Sequence, residues 1–392
     1  MTGNPVIEKL GRRLRLGVIG GGPGSVIGEV HRTAARLDDR YEVVGGVLSS
    51  NPERSRAAGR ALGFAPERAY EDVDAMLAAE TARPDGVDVV AIMTPNDGHY
   101  PLACRWLDAG RDVICDKPLT TKLDDARDLV ARVRASGLVF CTTYNYSGFP
   151  MVRQARAMVA DGEIGELRLG QVEYIQPQLA VRPDLDDPDY WRFHARRSGP
   201  SAILGDIGTH AWHLLHTVTR MEPQAVAADI GPVMPGRRFD DTAGVLIRYP
   251  NGARGILWVT QAAAGAEHGL KFRIHGAEGG LEWHQEDPTW LVHMQLEGPR
   301  RMLSRNGPGL KPAAERASRI AVGHPEGFHE AFANLYSDVA EAVAARLTGT
   351  PADPLALDFP TVEDGARGMA FIAAAKASSD AGGAWTDCRL SL

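Results

Sequence analysis

The sequence predicts an α/β domain built on a parallel sheet, followed by an α+β domain built on a mainly antiparallel sheet. Over residues 1–143, short apolar runs alternate with longer amphipathic segments, the pattern of parallel strands linked by helices. From Ala225 to about Leu303, alternating runs follow one another with only turns between them, which implies antiparallel pairing. A chain of 392 residues exceeds one ordinary core and suits two domains, placed here at 1–143 and 144–392.

In the first domain the expected strands are Leu14–Ile19, Tyr41–Leu48, Val87–Met93, Asp112–Cys115 and Leu138–Cys141. Helical spacing marks Glu29–Leu37, Pro52–Leu62, Val73–Ala79, Pro101–Asp108 and Leu123–Ala135 between them. Thr94-Pro95-Asn96 and Lys117-Pro118 close two of the strands, at the carboxyl ends where open α/β sheets place ligands. After Tyr144 come a helix (Val152–Ala160), a strand (Leu167–Ile175), a Pro- and Asp-rich loop (Pro177–Pro188) and a helix beginning near Asp206. The antiparallel runs are Asp241–Arg248, Gly255–Gln261, Leu270–His275, Gly280–His284 and Trp290–Leu296, with a hairpin signal at Pro250-Asn251-Gly252. Arg300–Ala317 reads as the most mobile loop, and Phe328–Arg346 and Val362–Ser378 as closing helices that pack back on the first domain.

The composition is that of a soluble globular protein, 44% apolar and 24% charged. A formal net charge of -7, with Lys and Arg spread along the chain, argues against nucleic acid or an anionic membrane as partner. No apolar window is long enough for a membrane span, and the N-terminus lacks the order of a signal peptide. Cys104, Cys115, Cys141 and Cys388 lie far apart with no CxxC spacing, so a reducing cytoplasm is the expected location.

The run Gly20-Gly21-Gly22-Pro23-Gly24-Ser25-Val26-Ile27-Gly28 follows a strand and leads into a helix, the context in which a dinucleotide fingerprint carries meaning. Gly20 would make the tight turn, Gly22 would admit a pyrophosphate, and the helix would offer its amides and dipole. The spacing is irregular: Ser25 stands at the third glycine of G-x-G-x-x-G, and taking Gly28 for that role needs three extra residues. A glycine-rich surface turn is the alternative. At the end of the second strand, where NAD enzymes usually carry a carboxylate, stand Ser49, Ser50 and Asn51, with Arg54 a turn later. Hydroxyls with a guanidinium lean slightly toward the 2′-phosphate of NADP, while Ser49 bonded to a bare ribose would suit NAD.

Asp206 and His210 lie one helical turn apart and so share a face, where a carboxylate can orient a histidine that accepts protons. Asp206 could equally cap that helix. His210, His213 and His216 recur at three-residue spacing, but the third ligand rotates off the face of the first and no cysteine is near, so no metal is expected.

In the order glycine turn, Thr94-Pro95-Asn96 with His99, Asp116-Lys117-Pro118, Tyr144-Asn145-Tyr146, Trp191-Arg192, Gly205-Asp206-Ile207-Gly208-Thr209-His210 and Gly323-His324-Pro325-Glu326-Gly327, the chain resembles the Gfo/Idh/MocA family of glucose–fructose oxidoreductase and inositol dehydrogenase-like enzymes. The resemblance implies a Rossmann domain and a second domain with a large open, mainly antiparallel sheet whose exposed face makes homodimers or homotetramers. It implies an NAD(P)-dependent oxidoreductase acting on a secondary alcohol or ketone of a sugar, inositol or glycoside. His210 is then the proton acceptor, Lys117 stabilises the developing alkoxide, and Asp206 orients one of them; an ordinary strand-end lysine is the other reading of Lys117. Thr94, Pro95, Asn96, His99, Asp116 and Lys117 join Gly20, Gly22, Ser25, Gly28, Ser49, Ser50 and Arg54 around the cofactor, and Lys117–Pro118 is expected to be cis. Tyr144, Tyr146, Trp191, Arg192 and, more weakly, His324 are expected at the substrate, since aromatic walls with polar tips suit a sugar. Two departures stand out. Asp116 replaces the family's usual glutamate, and the glycine loop is three residues longer. The alternatives are an enzyme that retains its cofactor through an isomerisation or glycoside cleavage, and a non-catalytic dinucleotide-binding sensor or subunit, which has no need of a proton relay.

Overall fold

The computed structural model of the chain describes residues 3–180, 191 and 194–392. Its first sheet is parallel and five-stranded, β1 (Leu14–Gly20), β2 (Tyr41–Val47), β3 (Val89–Met93), β4 (Asp112–Cys115) and β5 (Phe140–Thr142), in the order β2-β1-β3-β4-β5. β3 and β4 are buried along their whole length. That explains why β3 reads as a continuous apolar run and why Asp112, the one charged residue of β4, is paired with Arg346: helices cover both faces of a parallel sheet.

The second sheet has nine strands: β6 (Leu167–Ile175), β7 (Ala225–Gly231), β8 (Thr242–Arg248), β9 (Arg254–Thr260), β10 (Gly269–Gly276), β11 (Gly279–His284), β12 (Trp290–Gln295), β13 (Arg301–Ser304) and β14 (Thr386–Asp387). The order is β13-β12-β11-β10-β6-β9-β8-β7-β14, and every pair is antiparallel except β6 with β9. The expected hairpin joins β8 to β9, with Gly252 at φ 90° where a side chain would be strained. Helices Pro150–Ala160 and Thr209–Thr219 cover one face. The other face is open and carries Leu169, Leu246, Ile256 and Trp258, all exposed. β9 shows why: Gly255, Leu257 and Val259 point into the core, so Arg254, Ile256 and Trp258 must point out.

Arg300–Ala317 is not the loop expected. β13 adds to the sheet edge through Met302 opposite Val292, and Pro312–Arg316 is a short helix lying on Pro150–Ala160, with the Lys311 N–H donating to Gln154 Oε1 at 2.7 Å. The long helix Phe328–Thr348 packs on the helix Val26–Leu37 that follows the glycine turn, and Val362–Asp380 packs on Leu123–Ser136. Among the described residues, no helix is long and apolar enough to cross a membrane, and no three His, Cys, Asp or Glu side chains gather as a metal site.

Candidate active site

Three contiguous cavities run along the carboxyl ends of the parallel strands, about 1000, 160 and 420 Å³ in volume. The largest begins at the glycine turn and is lined by Gly20, Gly21, Gly24, Ser25, Leu48, Ser49, Ser50, Thr94 and Pro95. Gly20 has φ 82°, and a Cβ there would lie 2.5 Å from the Met93 carbonyl oxygen. At Gly22 a Cβ would meet the Leu48 carbonyl at 2.3 Å, so its role is close contact with β2. At Gly28 it would meet the Gly21 carbonyl at 2.1 Å. Ser25 instead caps the helix Val26–Leu37, its Oγ accepting from the Gly28 N–H at 3.2 Å. The loop is therefore the longer variant: Gly28 makes the tight helix–turn approach, and the open helix N-terminus beneath the turn fits a pyrophosphate. Arg54 is exposed on the helix Pro52–Ala61 and lies outside the cavity lining.

The smallest cavity joins the other two and is lined by Asn96, Asp116, Lys117, Gly205, Asp206 and Trp191. Lys117 follows β4, and its bond to Pro118 is cis. Its ammonium donates to the Asp206 main-chain carbonyl at 2.5 Å and lies 3.4 Å from Asp206 Oδ1, while Asp206 Oδ2 accepts from Gln261 Nε2 at 2.8 Å. Asp206 sits in a π-helical turn, Leu204–Gly208, that leads into Thr209–Thr219; the N-cap of that helix is Gly208. His210 stands in its first turn, edge-on to Tyr146 with ring centroids 4.9 Å apart. Burial first, and then the charge of Lys117, push its pKa well below the usual imidazole value. A neutral histidine beside an ammonium can accept a proton from a hydroxyl.

Asp116 accepts from Thr143 Oγ1 at 2.7 Å. His31, from the helix Val26–Leu37, approaches Asp116 with Nε2 at 3.9 Å and meets the Tyr336 hydroxyl with Nδ1 at 2.7 Å. Burial works against the Asp116 carboxylate, but the nearness of His31 and the charge of Lys117 outweigh it and hold its pKa below the carboxylate range.

Other expected residues are placed differently. His99 is fully buried, its ring nitrogens facing the Pro118 carbonyl at 2.8 Å and the Thr94 carbonyl at 3.0 Å, so it ties two cleft loops together behind the cavity. Asn96 reaches the middle cavity and donates to the Ser198 carbonyl at 3.1 Å. Tyr144 is withdrawn into the core: it stacks on His213 at 4.1 Å and bonds Thr209 Oγ1 at 2.8 Å. Tyr146 lines the 420 Å³ cavity and bonds Tyr174 through their hydroxyls at 2.6 Å. Trp191 lines the first two cavities. His324 is exposed in its turn and lines none of the three, and Arg192 falls outside the described residues. Gln176, Gln178, Gln285, Asn145, Ile27 and Phe328 line the 420 Å³ cavity without having been expected there. Asn145 lay within a quoted motif; single glutamines and an isolated Phe carry no spacing signal.

Residues 14–144 match the oxidoreductase family with an NAD-binding Rossmann fold, and residues 152–282 match the GFO/IDH/MocA C-terminal domain. An uncharacterized oxidoreductase, YfiI, of Bacillus subtilis (strain 168) is 31% identical over 99% of each chain. The chain belongs to the Gfo/Idh/MocA oxidoreductase family. Among solved structures of similar fold is an oxidoreductase from Sinorhizobium meliloti, 46% identical, with a TM-score of 0.87 over 95% of this chain and 99% of that one. An inositol dehydrogenase homolog from Azotobacter vinelandii, complexed with NADH and myo-inositol, is 34% identical, with a TM-score of 0.89 over 97% of this chain and 98% of that one. The glycine turn, the Lys117–Asp206 pair and the open sheet are thus described in a member of this oxidoreductase family, and its first domain is the NAD-binding one.

Proposed function

We propose that this Gfo/Idh/MocA protein is an NAD(H)-dependent dehydrogenase of a secondary alcohol on a neutral polyol, inositol or sugar. The observation that carries the reading is one cavity walled by Lys117, Asp206 and His210 and continuous with the cleft at the glycine turn. A nicotinamide held in the cleft at the glycine turn would supply the acceptor for the hydride that leaves the carbinol carbon. His210, neutral and facing the cavity, takes the hydroxyl proton; Lys117 donates to the same oxygen and stabilises its developing charge. Asp206 holds Lys117 in place and is itself held by Gln261. The family resemblance supports these roles, as does the myo-inositol and NADH complex of the Azotobacter vinelandii homolog.

NAD(H) is favoured over NADP(H) because Ser49 and Ser50 line the cleft while Arg54 stands outside it, Arg56 is engaged with Glu71, and Arg197, which does line the cleft, is paired with Asp97. Two hydroxyls suit the ribose diol, whereas a 2′-phosphate asks for a guanidinium. The test is a panel of inositols, aldoses and glycosides with each cofactor, followed at the absorbance of reduced nicotinamide. Oxidation of a polyol with NAD is expected; preference for NADP would overturn the cofactor assignment, and no turnover of any polyol the substrate class. The open face bearing Leu169, Leu246, Ile256 and Trp258 fits a homodimer or homotetramer interface, which the solution mass of wild type against a Trp258→Glu variant would test.

A further inference from the structure

Three residues that line the 420 Å³ cavity each carry a buried polar atom with no hydrogen-bond partner: Asn145 Nδ2, Gln285 Oε1 and His210 Nδ1. His210 belongs to the proton transfer already described. The other two come from different sheets. Asn145 opens the turn after β5 and is 2% exposed; Gln285 follows β11, its own N–H fixed to the Leu270 carbonyl at 2.9 Å. A buried amide atom without a partner is costly, and a folded protein tolerates it where a ligand completes the bond.

We propose that Asn145 and Gln285 are a specificity pair that reads non-reacting hydroxyls of the substrate and selects neutral polyols over anionic sugar derivatives. This rests on the dehydrogenase reading above. An amide NH₂ only donates and an amide oxygen only accepts. A hydroxyl both accepts and donates, so the hydroxyls of one polyol can meet the needs of both Asn145 and Gln285. A carboxylate or phosphate dianion satisfies Asn145 but has no proton for Gln285. The charges around the cavity act in the same direction: Asp116 and Asp206 face it with Lys117, and no arginine lines it among the described residues. Among the described residues, an anion would meet two carboxylates, one ammonium and the imidazoles of His210 and His268.

The test uses the full-length enzyme, NAD, myo-inositol, its mono-deoxy analogues and an inositol monophosphate. In wild type, kcat/KM for the phosphate should be at least about 100-fold below that for myo-inositol, since the site's acceptor is left unpaired. Gln285→Leu should raise KM for myo-inositol about tenfold or more with kcat within about threefold, and this penalty should vanish for the deoxy analogue that lacks the hydroxyl being read. NADH affinity and melting midpoint report that the variant is folded; Asn145→Ala gives a second route to the same comparison. Wild-type preference for the phosphate, an unchanged KM, or an equal penalty on every deoxy analogue would overturn the pair. If wild type oxidises no polyol, the dehydrogenase reading fails first. Calorimetry of myo-inositol with the enzyme–NADH complex then tests the pair separately, and equal affinity for wild type and Gln285→Leu refutes it.

Discussion

Replacing Gly28 by alanine tests whether the longer glycine turn is a cofactor cradle. The added methyl would sit 2.1 Å from the Gly21 carbonyl oxygen and 2.4 Å from the Gly21 Cα. Carbon contacts are comfortable at about 3.5–4.0 Å, so the helix Val26–Leu37 must retreat from the turn by about 1 Å or more. A displacement of that size at a binding group costs on the order of 100-fold. The expected result is a rise of about 30- to 100-fold in the NADH dissociation constant, or about 2–3 kcal/mol. Quenching of protein fluorescence by NADH measures it directly, without any substrate. Asn4→Ala is the control: it removes the cap of the helix Pro5–Leu10, outside the cavity lining, costs about 1 kcal/mol of stability and leaves NADH affinity unchanged. An NADH dissociation constant for Gly28→Ala within threefold of wild type would refute the argument, because the turn would then not set the position of the cofactor.

Lys117→Ala and His210→Ala should each lower kcat by about 10²–10⁴-fold with NADH affinity kept within a few-fold; near-normal turnover in either would remove it from the mechanism. The depressed pKa of His210 means that the base is neutral across the physiological range, so oxidation rates should stay flat down to a pH well below 6.5 and fall only in stronger acid. An acid limb near 6.5 would point to an exposed histidine instead. His213, with its pKa pushed down to about 3 by burial, bears on stability. Between pH 6.5 and that value the unfolded chain takes up a proton that the native ring refuses, so stability should fall as pH drops below 6.5, by about 1.4 kcal/mol per pH unit from this residue. Denaturant midpoints of wild type and His213→Phe, compared at pH 7.5 and 5, measure the difference.

Much of the fold is legible because alternation and continuous burial leave marks on local sequence. β3 is all apolar since both its faces are covered, and β9 alternates since one is open. The parallel pairing of β6 with β9 leaves no such mark: it joins segments about eighty residues apart, and only tertiary packing sets that neighbourhood. β13 was hidden for another reason, as a four-residue edge strand flanked by arginine, asparagine and glycine looks like a loop. At the site, Lys117, Asp206 and His210 were readable because each sits in a compact motif, and the structure brings them to one cavity. His99 and Tyr144 carry side chains that suit a ligand, yet backbone carbonyls and Thr209 with His213 engage them. Gln176, Gln178 and Gln285 were silent, since a glutamine near a strand end is common and only the fold reveals that three of them meet.

The helix Phe328–Thr348 lies on Val26–Leu37, and Phe332, Tyr336 and Val339 complete the core around Leu14, Val18 and Val30. The first domain is therefore finished by a segment made after strands β6 to β13 of the second sheet. While the ribosome is still building the second sheet, the helix Val26–Leu37 has an uncovered apolar flank and His31 lacks Tyr336. Nascent chains halted near residue 320 should be vulnerable to proteases and chaperones, and recognition of the dinucleotide should appear late in synthesis. By this packing, cofactor capture is expected only once the helix Phe328–Thr348 has been made.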